Sequence, residues 1–117
     1  MADPIIKKLE SCTAFPVNAY CEGYPDVIFE IILNAKPTGE QTAAAVTALE
    51  DFYYTYNKLH FLRPIHYISD LDNLPKGPHP RGIYIHMDFG GCSPYALIKA
   101  VQALEKTDLP IFRVALL

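Results

Sequence analysis

Tyr84, His86 and Asp88 alternate along Gly82-Ile83-Tyr84-Ile85-His86-Met87-Asp88-Phe89, with Ile83, Ile85, Met87 and Phe89 between and after them. In an extended strand successive side chains point to opposite faces. The spacing therefore predicts one oily face and one face carrying a phenol, an imidazole and a carboxylate. An imidazole beside a carboxylate suits general acid–base work. Histidine with Asp or Glu also supplies the ligand types of the facial triad that holds non-haem iron, with positions open for substrate and oxygen. Glu30, on the run Val27 to Leu33, is a third acidic group for such a site. The candidate catalytic residues are thus His86, Asp88 and Glu30, and the candidate metal ligands are His66, His79 and His86. The same pattern equally fits a hydrogen-bonded histidine on a contact surface.

Other features that could carry chemistry are thinner. Gly90-Gly91 precedes Ser93-Pro94, a strong helix start, and helix N-termini attract anions. Neither the Walker pattern nor the dinucleotide fingerprint is present, so the glycines are read as serving a tight strand-to-helix turn. Cys92 stands beside that helix start, where a thiol pKa falls, but no histidine base is tied to it by spacing. His60 sits at the expected end of the first long helix. Phe52, Tyr53, Tyr54 and Tyr56 are read as core packing with phenols at the rim.

The elements that must position these residues are legible in outline. Val27, Phe29, Ile31 and Leu33 form one face of a first strand and Ile28, Glu30, Ile32 and Asn34 the other, and β-branching on both faces predicts a central strand. Thr38 with Gln41 fits a capping box and opens a helix that runs to about His60. Its apolar stripe is Val46, Leu49, Tyr53 and Tyr56, with Ala45 and Phe52 beside it. Residues 65–71 form a second strand of unclear facing, and residues 74–81 a proline-rich loop. Residues 83–89 form the third strand. A second helix buries Leu97, Ala100, Val101 and Leu104, and Ile111 to Leu116 is the last strand. Residues 1–26 are an N-terminal extension on a single domain spanning 1–117: Asp3 and Pro4 fit the cap and first turn of a short helix through Ile5, Ile6 and Leu9, and Thr13 to Pro25 has loop or irregular-strand chemistry. The order βαββαβ over 27–117 predicts an α+β, ferredoxin-like plait: a four-stranded antiparallel sheet with two helices on one face.

The totals exclude several classes. The 117 residues are 50% hydrophobic and 20% charged, ordinary for one globular domain. A net charge of -3, with ten Lys and Arg scattered singly, gives no basic stripe for nucleic acid. No apolar run approaches a membrane span, and Met1-Ala2-Asp3-Pro4 does not read as a secretory signal. Cys12, Cys21 and Cys92 show no C-x-x-C spacing. They are read as reduced cytosolic thiols, a Cys12–Cys21 pair being the alternative for an oxidising compartment.

Gly77-Pro78-His79-Pro80 resembles the small DOPA 4,5-dioxygenase-like proteins, as does the order of elements. The resemblance implies a ferredoxin-like fold, dimerisation and histidine-bound iron for ring cleavage. That family's first strand opens with a histidine and its last runs into a His-Pro segment. Val27-Ile28-Phe29 has no histidine and Arg113 to Leu117 no His-Pro, so His79 alone carries over.

The sheet face away from the helices is the expected working surface, with Tyr84, His86, Asp88, Glu30, Ile32 and Arg113 as contact residues. The leading expectation is a non-enzymatic, cytoplasmic protein-binding module without cofactor, akin to the immunity or inhibitor proteins that neutralise a bacterial toxin. One alternative is a metal-dependent, dioxygenase-like or acid–base enzyme centred on His86, Asp88 and Glu30, with iron its only implied cofactor. Another is a dimeric small-molecule-binding domain; homodimerisation through the apolar part of the open face suits it.

Overall fold

The run Val27 to Leu33 is rich in β-branched and aromatic residues, which favour the extended conformation, and in the computed structural model it lies in a strand flanked on both sides. The structure describes residues 11–19, 26–59, 65–70, 79–89 and 95–117. Within them the order is β1 (Val17–Ala19), β2 (Asp26–Leu33), α1 (Gly39–Leu59), β3 (His66–Asp70), β4 (Gly82–Asp88), α2 (Tyr95–Glu105) and β5 (Ile111–Leu116). The strands form one mixed sheet in the order β1-β5-β2-β4-β3. The class is α+β.

The expected four-stranded antiparallel sheet is corrected in one respect. β1, out of the segment read as an irregular extension, adds to β5 in parallel, with Val17 opposite Val114 and Ala19 opposite Leu116. The carbonyl of Pro16 accepts the Val114 N–H at 3.0 Å. Three residues are too few to show a period, so the sequence pattern carries no trace of this strand. The other pairings, β2 with β4, β2 with β5 and β3 with β4, are all antiparallel.

Alternation on β2 and β4 sets the core. Val27, Phe29, Ile31 and Leu33 face the same side as Ile83, Ile85 and Met87, join Phe89, and are buried with Val114 and Leu116 of β5. Both helices close over this face: Ala45, Leu49 and Tyr56 of α1 and Leu97, Ala100, Val101 and Leu104 of α2 belong to the same cluster. On α1 the buried line runs through Ala45, Leu49 and Tyr56, with Val46, Phe52 and Tyr53 only half-buried at its margins. Tyr54 is 56% exposed.

Thr38 and Gln41 make the reciprocal bonds of a capping box: the Thr38 N–H donates to Gln41 Oε1 at 3.0 Å and the Gln41 N–H to Thr38 Oγ1 at 3.1 Å. Thr38→Ala removes one of these bonds and is expected to cost about 1 kcal/mol, read as a lower denaturation midpoint with an unchanged slope. At the far end of α1 the Asn57 amide clamps the chain entering β3. It donates from Nδ2 to the Ile65 carbonyl at 2.9 Å and accepts the Ile65 N–H on Oδ1 at 2.8 Å. Both polar groups of a buried residue are satisfied in this way.

Two irregularities bend the alternation. In β5 the register passes from Ile32–Arg113 to Leu33–Ile111, leaving Phe112 as the extra residue of a bulge. Its ring is 52% exposed, with the Arg81 guanidinium 5.5 Å above it. In β3 the register slips between Tyr67 and Ser69.

Candidate functional site

The second sheet face is assembled by register. Ile32 stands between Arg113 and Gly82, Glu30 between Ala115 and Tyr84, and Ile28 beside His86. Asp88 stands between Asp26 and His66, while Ser69 takes the place opposite His86. No single alternation holds through β3, because the slip after Tyr67 resets the register there. The strands thus bring Tyr84, His86, Asp88, Glu30, Ile32 and Arg113 onto one face, as alternation predicts.

The face is less open than expected. Ile32 is 0%, Ala115 1% and Tyr84 4% exposed within the single chain, so the apolar part of the face has little surface for a second copy to bury. Glu30, His86, Asp88 and Arg113 are half-buried, as is Ile28 beside His86. Gly82 explains part of the packing. A Cβ there would lie 2.8 Å from Tyr84 Cε2, so only glycine lets the Tyr84 ring lie across the start of the strand.

Tyr84 ties the face together. Its hydroxyl donates to Glu30 Oε2 at 2.7 Å and accepts the backbone N–H of His79. His79 in turn shapes its own turn: its carbonyl accepts the Gly82 N–H at 2.9 Å and its Nδ1 accepts the Arg81 N–H at 3.0 Å. Burial, then the hydrogen bond to Glu30, pushes the phenol pKa up to about 12. A phenol shifted this way stays protonated at neutral pH and donates a hydrogen bond; it is not poised as a base.

A metal centre finds little support in these side chains. Among the described residues no three of His, Cys, Asp and Glu stand together as a metal cluster. Glu30 accepts from Tyr84, and it stands opposite Tyr84 rather than His86. His79 is engaged through Nδ1 in its turn and enters the network only through its backbone. His66 takes a register position opposite Asp88. Of the candidate ligands, His79 and Glu30 are thus each committed to other hydrogen bonds. His60, Cys21, Gly77, Pro78, Gly90, Gly91, Cys92, Ser93 and Pro94 lie outside the described residues. Burial, before any other cause, pushes the Cys12 thiol pKa up.

A second feature, invisible to strand periodicity, lies on the opposite side of the molecule. Where α1 and α2 pack, a groove of about 640 Å³ opens along their outer seam. Ala48 and Ala103 are too small to fill it; Phe52, Tyr56 and Leu59 stand on the α1 side, and Lys99 and Lys106 on the α2 side. No helix among the described residues is long and apolar enough to cross a membrane, and Leu59 at the end of α1 is 75% exposed. No protein-family model, curated protein or solved structure shows a significant similarity to this chain.

Proposed function

We propose that this chain is a small, non-enzymatic protein-binding module. The observation that carries the proposal is the Tyr84–Glu30 bond. Glu30, one of the three candidate catalytic residues, is engaged by the Tyr84 hydroxyl, and the phenol keeps its proton at neutral pH. What is left accessible, Glu30, His86, Asp88 and Arg113 around a buried apolar centre, is the makeup of a polar rim. The order β5-β2-β4-β3, with both helices over one face, supports reading residues 27–117 as a ferredoxin-like plait to which β1 is an addition. A toxin-neutralising inhibitor is the narrower form of the proposal.

The test is affinity capture from the source cell extract with the wild-type chain and with the double variant His86→Ala/Asp88→Ala. A stoichiometric partner held by the wild type and lost by the variant, with the variant's thermal midpoint preserved, is the expected result. Stoichiometric iron in the purified protein, or turnover abolished by the same substitutions, overturns the proposal.

A further inference from the structure

We propose that the groove between α1 and α2 is a docking site for an acidic amphipathic helix of a protein partner, an inference that rests on the protein-binding reading above. The groove follows from sequence. Ala48 on α1 and Ala103 on α2 hold the seam open, while the buried residues beneath, Ala45, Leu49, Ala100 and Leu104, hold the two helices together. Its α1 wall is a stripe at helical spacing, Phe52, Tyr56 and Leu59, in which the Phe52 and Tyr56 rings lie 5.9 Å apart. Leu59 is 75% exposed, the most exposed large apolar side chain among the described residues. Tyr56 belongs to the buried core and Phe52 is half-buried, so Leu59 is the bare apolar group at the rim of the groove. An apolar rim beside a groove suits the anchors of a helix-in-groove partner.

The charges select the partner. Lys99 of α2 and Lys106, one residue past its end, line the facing wall and are seven positions apart in sequence, about 10 Å when the helical rise of about 1.5 Å per residue is carried one residue on. A small amphiphile with a single acidic head would meet one ammonium only. A helix lying along the groove with carboxylates two turns apart meets both while its apolar stripe lies on Phe52, Tyr56 and Leu59. Asp51 on the opposite wall repels an acidic side chain placed there, which fixes the edge on which the partner carries its carboxylates.

The experiment titrates the isotope-labelled full chain, followed by amide NMR, with two synthetic amphipathic helices. They share one leucine stripe, and one edge carries glutamates two turns apart in the first and lysines in the second. The acidic peptide is expected to shift resonances of residues 48–59 and 99–107 saturably, more weakly as salt rises. Lys99→Glu/Lys106→Glu should weaken it by about tenfold or more, with the lysine peptide failing to saturate. Ala103→Phe, which fills the groove without touching a charge, should also abolish the shifts. Equal binding of the two peptides, indifference to these substitutions, or tighter saturable binding of dodecanoate at the same resonances overturns the proposal. Capture of a partner that still depends on His86 and Asp88, with no peptide response at the groove, overturns this inference and leaves the protein-binding reading standing.

Discussion

Phe29→Ala is expected to cost about 3–5 kcal/mol, the range for emptying a buried aromatic position. Phe29 is 0% exposed and stacks on Phe89 with ring centroids 6.2 Å apart. It stands opposite Ile85 of β4 and Leu116 of β5, so the cavity would open between three strands and lie under the helices. Backbone pairing on both sides of β2 keeps the site from collapsing inward, which favours the upper part of the range. Against a total stability of about 5–15 kcal/mol for a domain of this kind, the variant sits near the edge of folding. Urea denaturation followed by circular dichroism measures it; a midpoint shift worth less than about 1.5 kcal/mol would mean that the sheet repacks around the gap.

The second large effect concerns Tyr84. Tyr84→Phe keeps the ring over Gly82 and removes the hydroxyl, leaving the His79 N–H and the Glu30 carboxylate without their shared partner. The cost is about 1–3 kcal/mol, toward the lower end because half-buried Glu30 can recover water. A pH signature separates this bond from simple packing. The phenol keeps its proton to about 12 in the fold, against an ordinary value of 10.0. Between those values the folded state holds more protons than the unfolded chain. The stabilisation is therefore complete below pH 10 and lost as pH rises toward 12. Tyr53, also pushed up to about 12, first by its bond to Tyr54, contributes to the same window and remains in the variant. Tyr84→Phe should thus flatten the alkaline loss of stability in part. An unchanged slope between pH 10 and 12 would show that the phenol does not hold its proton in this way.

Much of this architecture could be read from residue order because it is local. The alternation of Val27 to Leu33 and of Ile83 to Phe89, the Thr38–Gln41 box and the apolar face of α2 each depend on neighbours within one element. The bounds of β5 follow from Pro110 on one side and β-branched residues on the other. What escaped depends on distance through the chain. The Asn57 amide reads as one more polar helix residue until Ile65 is brought under it. Bulges at Phe112 and after Tyr67 insert a residue without any residue type that demands it. The candidate site shows the same division: alternation placed Tyr84, His86, Asp88 and Glu30 on one face. It could not show that Tyr84 would join Glu30 to the His79 turn, nor that Ile32 would be covered. The groove depends on how two helices cross, which their separate patterns do not contain.

The position of β5 has a consequence for how the protein comes to exist. It is the last of the described strands in chain order, yet it lies between β1 and β2, the first two. Val17 meets Val114 across nearly the whole chain, and pairings of such long separation form slowly. Until residues 111–116 leave the ribosome, β1 has no strand to join and one edge of β2 stays unpaired, open to other chains. The sheet is therefore completed only once residues 111–116 have been made and released. A nascent or truncated chain lacking β5 would be the aggregation-prone species, and the one in need of a chaperone.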